Sequence, residues 1–166
     1  MKGISSTDLD GSRLRIAVIT TRWNEFICSA LEAGALEALK ASGVEPSNIE
    51  TYKVPGAFEL PLGARAAADT GRFDAIVCLG AVIQGETPHF DFIAGEAARG
   101  IMDVGLDSGI PVTFGVITAD NEDQARERAG GAKGNKGVEA AEAAVEMALL
   151  RRRLDGISDA GVGFTL

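Results

Sequence analysis

The chain has 166 residues and a formal net charge of -8, and 46% of its residues are hydrophobic while 5% are aromatic. This length predicts one domain with a full hydrophobic core. The acidic balance argues against binding to nucleic acid or to an anionic membrane, because no large basic surface can form. No apolar signal segment opens the chain, and no run approaches the roughly 18 apolar residues of a membrane span. We therefore expect a soluble, cytoplasmic protein.

The two cysteines, Cys28 and Cys78, lie far apart in the sequence, and each has apolar neighbours. The chain has neither a CxxC motif nor the Cys/His spacing of a metal site. We interpret both as buried free thiols and predict no metal site.

The predicted elements alternate between strands and helices after a polar N-terminal arm, residues 1–12. Asn24 is predicted to cap the first helix, and the segment GGAKGNKG (130–137) is predicted to be a loop. Residues 155–166 show no helical periodicity and are expected to be a mobile tail. In chain order the predicted elements are strand 14–20, helix 24–42, strand 49–54, helix 60–70, strand 75–79, helix 88–106, strand 112–117, short helix 122–129 and helix 138–154.

The strands are apolar runs that alternate with helices, which is typical of a parallel sheet covered on both faces. Right-handed crossovers then produce an open, doubly wound α/β sandwich of three layers. Ligands of such sheets bind outside the carboxyl ends of the strands. Four segments leave those ends, and we expect a site among them: residues 21–24, 55–59, 80–89 and 114–121.

Residues 80–92 read GAVIQGETPHFDF and include His89, the only histidine. Thr87 is predicted to be the N-cap of a helix that begins at Pro88. The free N–H groups of residues 85–87 would then collect at the positive helix end, where a phosphate is stabilised. The pattern is neither a P-loop nor GxGxxG, and an ordinary strand-to-helix turn is the alternative.

Several side chains near the strand ends have both a functional and a structural interpretation. His89 can accept and return a proton, or it can be a surface or capping histidine. Trp23 can stack on a flat ligand or lie at the edge of the core. Glu59 can accept hydrogen bonds from hydroxyls or favour a helix N-terminus. Arg128 can face a phosphate or bind the last carbonyls of a helix, whereas Phe114, within a strand, is more typical of a core residue.

Six motifs in this order and spacing resemble the 6,7-dimethyl-8-ribityllumazine synthases: RWNEFI, VPGAFELP, GAVIQGETPHFDFI, FGVIT, ERAG and GNKG. The resemblance covers about residues 13–154. It implies a flavodoxin-like three-layer fold with a four-stranded parallel sheet, and a transferase that needs no cofactor. The implied reaction is the penultimate step of riboflavin biosynthesis: 5-amino-6-(D-ribitylamino)uracil condenses with 3,4-dihydroxy-2-butanone 4-phosphate to give the lumazine, phosphate and water.

The resemblance also assigns roles to individual residues. Trp23, where the family often has phenylalanine, would stack on the pyrimidine ring, and Phe114 would reach the site from a neighbouring subunit. Glu59 would bind the ribityl hydroxyls beside Ala57 and Phe58. The backbone polar groups of three residues would line the ring pocket: Ala81, Val82 and Ile83.

The butanone phosphate would be bound by Glu86, Thr87 and Arg128, and His89 would transfer protons. Lys136 would add positive charge near the phosphate. Gln84 departs from the family, in which many members have arginine at this position.

The resemblance implies a homo-oligomer. The family forms pentamers, some of which pack into a hollow icosahedral shell, and the arm 1–12 would add a strand to a neighbouring sheet. The short linker 130–137 favours the shell. Inorganic phosphate and riboflavin synthase are further partners that the resemblance suggests.

Three other functions are compatible with such a scaffold. The first is a flavin- or lumazine-binding protein without catalysis, which would need no proton-transfer residue. The second is a shell-forming protein whose main role is assembly. The third is a signalling domain phosphorylated on aspartate, which the lack of an acidic cluster after the first strand argues against.

Overall fold

A computed structural model of the protein describes residues 9–156. Short 3-10 turns, Pro46–Asn48 and Ala57–Glu59, precede the second strand and the second helix. Among the helices of these described residues, none is long and apolar enough to cross a membrane. The other elements are β1 (Ile16–Thr21), α1 (Glu25–Ala41), β2 (Ile49–Val54), α2 (Leu60–Asp69), β3 (Ala75–Ile83), α3 (His89–Ser108), β4 (Val112–Ala119), α4 (Glu122–Glu127), β5 (Ala129–Gly131), β6 (Gly134–Asn135) and α5 (Lys136–Leu154).

Strands β1 to β4 form one parallel sheet in the order β2-β1-β3-β4. Helices α1 and α5 cover one face, where they pack against Val18, Val77 and Ile117. Helices α2 and α3 cover the other face, where they pack against Ile19 and Ile76. Successive residues of β1 and β3 therefore enter two different cores, which explains why these central strands are buried along nearly their whole length, whereas the edge strand β2 is largely exposed. The predicted three-layer fold with a four-stranded parallel sheet is confirmed.

Strand β3 is longer than predicted. We expected it to end at Leu79, because Gly80 follows, but it continues to Ile83. The neighbouring β4 supplies partners along the whole extension, with Ile83 opposite Ala119. Gly80 belongs to the strand because it allows a close approach, since a Cβ there would lie 3.0 Å from Thr21 Cγ2. The last pair between β1 and β3 is Thr20 with Leu79, so the residues of β3 after Leu79 have no partner in β1.

Residues 130–137, predicted to be a loop, contribute to a small antiparallel hairpin of β5 and β6. Gly134 has a φ of 81°, a conformation that favours glycine. Helix α5 begins at Lys136, two residues before its predicted start, because Asn135 caps it. The Asn135 side-chain oxygen accepts a hydrogen bond from the Gly137 N–H at 2.8 Å.

The same cap brings α5 into close contact with α1. The Asn135 amide donates a hydrogen bond to the Ala30 carbonyl at 3.0 Å. At Gly137 the two backbones nearly touch, since a Cβ at this position would lie 2.1 Å from the Leu31 carbonyl oxygen. This contact fixes the first turn of α5 over the sheet, next to the hairpin.

Residues 9–12, the described part of the predicted arm, lie against the end of α1. The Gly11 N–H donates a hydrogen bond to the Ser42 carbonyl at 2.8 Å. This part of the arm is therefore anchored to its own chain. The predicted strand addition by the arm falls largely on residues 1–8, and the predicted tail on residues 157–166, both of which lie outside the described residues.

Strand β4 forms one edge of the sheet, and within residues 9–156 no strand pairs with its outer side. Exposed apolar side chains of α3 and α5 flank this edge, among them Met102, Leu106, Met147 and Leu150. Together with the start of β4 they line a groove of about 450 Å³. An unpaired edge with apolar flanks is typical of a surface that another chain covers.

We expect Gly137→Ala to lower the free energy of unfolding by about 1–3 kcal/mol, because the added methyl group has to displace the Leu31 carbonyl. Gly95→Ala in α3 is the matched control, since nothing lies within 4 Å of its Cβ position and alanine favours a helix. Thermal unfolding followed by circular dichroism compares the two variants. An unfolding temperature of Gly137→Ala at or above that of the wild type would contradict the close helix contact.

Candidate active site

The carboxyl ends of the four parallel strands open at one rim of the sheet. The segment after β1 follows the end of β2 there, because the Arg22 N–H donates to the Val54 carbonyl at 2.9 Å and the Trp23 N–H to the Pro55 carbonyl at 3.2 Å. The strand order reverses between β1 and β3, and ligands of doubly wound sheets bind in the crevice at such a reversal. Trp23, Glu59 and His89 lie on the segments that follow β1, β2 and β3 at this rim.

Trp23 lies at the rim, with 64% of its surface exposed. Its indole contacts the turn after β2 at Gly56, where a Cβ would come within 2.6 Å of the ring atom Cε3. The glycine therefore allows the ring to approach the backbone of this turn. Of the two interpretations of Trp23, the structure excludes a core-edge tryptophan and leaves an aromatic surface open to a flat ligand.

Asn24 occupies the N-cap position of α1, as predicted, but its side chain does not cap the helix. The residue precedes the helix but makes no side-chain cap bond, and its backbone is left-handed, with φ 56° and ψ 47°. A capping side chain requires an extended backbone at this position. The Asn24 amide instead donates a hydrogen bond to the Ala81 carbonyl in β3 at 3.0 Å. Sequence analysis missed this contact, although asparagine is one of the few residues that tolerate the left-handed conformation.

The turn after β2 holds Ala57, Phe58 and Glu59. One carboxylate oxygen of Glu59, Oε2, accepts a hydrogen bond from the Gly56 N–H at 2.9 Å, so the side chain stabilises its own turn. Within the described chain the other oxygen has no hydrogen-bond partner, which leaves it available to a hydroxyl donor. Ala57 is buried and Phe58 is exposed.

Ala81, Val82 and Ile83 lie within β3 and not in a loop. The backbone groups of successive strand residues point to opposite sides. The Gln84 N–H donates a hydrogen bond to β4 at 2.9 Å, so Val82 and Gln84 face β4 while Ala81 and Ile83 face the crevice. Because Asn24 occupies the Ala81 carbonyl, Ile83 is the residue of this strand end that presents both its N–H and its C=O to the crevice.

Helix α3 begins at His89, one residue later than predicted. Pro88 takes the N-cap position and Thr87 does not cap, which corrects our prediction. The cause is the backbone of Pro88, whose ψ of 5° is outside the helical range. The side chains of Glu86, Thr87 and His89 are exposed. The first N–H groups of this 20-residue helix therefore follow an exposed threonine in the chain, and such a helix start can bind an anion.

Arg128 lies half-buried at the end of α4, where one guanidinium nitrogen, Nη1, donates to the Gln124 carbonyl at 2.9 Å. This contact agrees with the structural interpretation of Arg128, in which its side chain binds one of the last carbonyls of a helix. In the described part of the chain no carboxylate forms an ion pair with Arg128, so its charge is available to a ligand. Lys136, by contrast, pairs with Glu139 at 2.5 Å.

Phe114 does not lie at the rim. It precedes Ala119, the last residue of β4, by five positions, which corresponds to about 16 Å along a strand. It is 42% exposed, so its interpretation as a core residue is wrong. Within one chain the structure does not bring Phe114 together with Trp23 and His89.

Both cysteines are buried, as predicted, and neither forms a disulfide. Cys28 lies directly beneath the rim, where its sulfur is 3.2 Å from the Trp23 carbonyl and 3.2 Å from the Thr21 hydroxyl. Burial raises the pKa of the Cys28 thiol, and it raises the pKa of Cys78 to about 12. Since neither thiolate forms near neutral pH, neither cysteine is a candidate nucleophile.

Comparison with known proteins identifies the family. The family model described as 6,7-dimethyl-8-ribityllumazine synthase matches residues 13–152. A protein of Syntrophus aciditrophicus (strain SB) with the name 6,7-dimethyl-8-ribityllumazine synthase is 47% identical over 154 residues, which cover 93% of this chain and 100% of the relative. The region matched by the family model includes the four-stranded sheet, helices α1 to α4, α5 as far as Arg152, and every residue placed at the rim. The chain therefore belongs to the 6,7-dimethyl-8-ribityllumazine synthase family.

Proposed function

We propose that the crevice between β1 and β3 is where this enzyme performs the reaction of its family. The amine of 5-amino-6-(D-ribitylamino)uracil attacks the carbonyl of 3,4-dihydroxy-2-butanone 4-phosphate, and water leaves as the imine forms. Phosphate is then eliminated, and ring closure with loss of a second water gives the lumazine. The observation that carries the assignment is the convergence of an exposed aromatic ring after β1 with free backbone groups and the single histidine after β3.

The pyrimidine ring stacks on Trp23 in this proposal. The exposed indole provides the flat apolar surface, and the N–H and C=O of Ile83 face the same crevice. A uracil edge carries both hydrogen-bond donors and acceptors, so one donor and one acceptor on the same residue can bind it as a pair. Val82 contributes to the floor of the pocket through its position in β3 and not through its backbone polar groups, which face β4.

The ribityl chain lies along the turn after β2. The second carboxylate oxygen of Glu59 accepts hydrogen bonds from ribityl hydroxyls, while the first keeps the turn closed through the Gly56 N–H. Ala57 and Phe58 border this position, and the exposed Phe58 ring covers the apolar side of the chain. Because Oε2 is bonded to the Gly56 N–H, the Glu59 carboxylate is held in one orientation, and its other oxygen points to the ribityl chain in this proposal.

The phosphate of the second substrate binds at the start of α3. The segment Glu86–Thr87 provides N–H groups and the threonine hydroxyl, and the helix end is positive. Arg128 supplies the compensating cation, because no carboxylate of the described chain neutralises it. The net charge of the protein is -8, so the attraction for phosphate has to come from these local groups and not from the overall field.

His89 transfers protons between the reacting groups. It lies in the first turn of α3, directly after the proposed phosphate segment and Pro88, and its side chain is exposed. Amine attack releases a proton, and the departure of water requires one, so a single imidazole can serve both steps. Much of the rate comes from holding the two substrates together, which needs no covalent intermediate.

The enzyme acts as a homo-oligomer of the cytoplasm in this proposal. Phe114 is too far from its own rim, so it completes the site of a neighbouring subunit. A pentamer provides such contacts, and the short segment between α4 and α5 contains no insertion that would hinder packing of pentamers into an icosahedral shell. The apolar flanks of β4 provide a surface that such contacts can cover.

We expect His89→Ala to lower kcat by about 10²-fold without abolishing turnover, because positioning remains when the proton transfer is lost. Absorbance in the lumazine band after mixing purified protein with both substrates measures the rate. Asp91→Ala, which changes an exposed residue of the same helical turn, is the matched control. Absence of lumazine above the uncatalysed background with the wild type would refute the proposed function. Complete loss in a correctly assembled His89→Ala would show that His89 does more than transfer protons.

Gln84→Arg should change the KM for the butanone phosphate by less than tenfold, which corresponds to about 1.4 kcal/mol. The Gln84 backbone completes the β3–β4 ladder and its side chain is exposed, so an arginine there faces water and is screened. Initial rates at low and high ionic strength check the result. A change larger than tenfold at high ionic strength would mean that position 84 contacts the phosphate directly.

Light scattering of the purified protein should show particles much larger than a pentamer. The physical reason is that the unpaired β4 edge and its apolar flanks favour burial against other copies. Measurements in several buffers and at several protein concentrations separate a stable shell from loose association. A species no larger than a pentamer under all of these conditions would exclude the shell.

A further inference from the structure

We infer that Asn24 is a positioning residue for the aminouracil pocket, because its side chain holds the end of β3 at a fixed distance from the loop that carries Trp23. The inference rests on the proposed use of the crevice between β1 and β3. It concerns a residue that contacts neither the reacting atoms nor the phosphate, and that acts through the two walls of the ring pocket.

The backbone of Asn24 shows that the residue is held in an uncommon conformation. Among the described residues it is the only one other than glycine with a positive φ, at 56°. This conformation is unfavourable for most residues, and asparagine tolerates it better than most. The conformation removes the side chain from the start of α1, where it would cap the helix, and directs it to the Ala81 carbonyl at 3.0 Å. Asn24 therefore makes no side-chain bond to the start of α1 and instead donates a hydrogen bond to β3.

The contact compensates for a missing strand. β1 pairs with β3 only as far as Leu79, so beyond that residue one side of β3 has no neighbouring strand. Ala81 is the first residue past this limit whose carbonyl faces the crevice. By donating to that carbonyl, the Asn24 amide continues the ladder for one step and keeps the end of β3 in the plane of the sheet. The next crevice-facing residue, Ile83, then presents its backbone in a defined direction.

The same residue also fixes the opposite wall. Asn24 follows Trp23 directly, and the Trp23 carbonyl lies 3.2 Å from the buried Cys28 sulfur. The Trp23 N–H is bonded to the Pro55 carbonyl at 3.2 Å, so the ring-bearing residue is held on both sides of its backbone. Asn24 connects this rigid segment to β3. Loss of its amide is expected to change the separation between the stacking ring and the Ile83 backbone. The phosphate segment has a separate anchor at its start, because the Gln84 N–H donates to the Ala119 carbonyl in β4 at 2.9 Å.

The test compares two substitutions that both tolerate a positive φ. Asn24→Asp keeps the shape of the side chain but places a carboxylate oxygen opposite the Ala81 carbonyl, and Asn24→Gly removes the donor. Trp23 is the only tryptophan, so quenching of its fluorescence by 5-amino-6-(D-ribitylamino)uracil measures the Kd without turnover. Asn48→Asp, at the opposite end of the sheet before β2, adds the same charge and is the control.

We expect Asn24→Asp to raise the Kd and the KM for the aminouracil at least about tenfold and Asn24→Gly about threefold, with the KM for the butanone phosphate within about twofold of the wild type. A Kd within twofold of the wild type for both variants would overturn the inference. Equal weakening of both substrates together with a lower unfolding temperature would also overturn it, because that result indicates a purely structural role. If the wild type itself neither binds the aminouracil nor forms lumazine, the proposed function fails instead.

Discussion

The site depends on one constraint, which is that β3 extends past the end of the strand beside it. Where the strand order of a parallel sheet reverses, the connections that leave two neighbouring strands run to opposite sides of the sheet. A crevice opens between them. Here β3 continues from Gly80 to Ile83 after β1 has turned away, so its backbone groups on that side lack a strand partner. Buried backbone N–H and C=O groups need a hydrogen-bond partner, which can come from a side chain or a ligand. Asn24 provides one and a bound ring can provide the next.

The fold was predictable from the sequence because its central strands β1 and β3 are mostly apolar on both faces and because strands and helices alternate along the chain, often with glycine or proline between them. The boundaries were less predictable where a neighbouring element decides them. Gly80 looks like the end of a strand in the sequence, and only the presence of β4 alongside shows that the strand continues. Similarly, Asn135 was part of a predicted loop, and its contact with the Ala30 carbonyl in α1 joins positions 105 residues apart, which no local pattern reveals.

The site residues differ in how well the sequence predicts them, because some roles follow from the position in the chain and others depend on contacts with distant residues. Trp23 and His89 follow strands directly, so the rule that ligands bind at strand carboxyl ends locates them. Asn24 has a residue type that suits a helix cap, and its real contact is with a strand more than fifty positions away, which no local pattern reveals. Phe114 occupies a strand position in the sequence, and its exposure follows from the position of β4 at the edge of the sheet.

The charge distribution suits an acidic protein that binds an anion. Many of its arginines are already neutralised, as Arg72 is by Glu50 and Arg152 by Asp74. Arg128 differs because its hydrogen bond goes to a carbonyl, so its full charge remains. In the proposed site this charge provides a local positive potential for short-range contacts with phosphate, even though the protein as a whole is acidic.

The groove along the outer side of β4 has a consequence for the life of the newly made chain. In the proposed homo-oligomer, a subunit that has not yet met its partners exposes an unpaired strand together with Met102, Leu106, Met147 and Leu150. Such an edge pairs readily with unrelated strands, so the monomer is the species most prone to aggregate. Its survival therefore depends on how fast it encounters other copies, and a higher rate of synthesis can improve the yield of assembled protein as long as correct docking outpaces misdirected pairing.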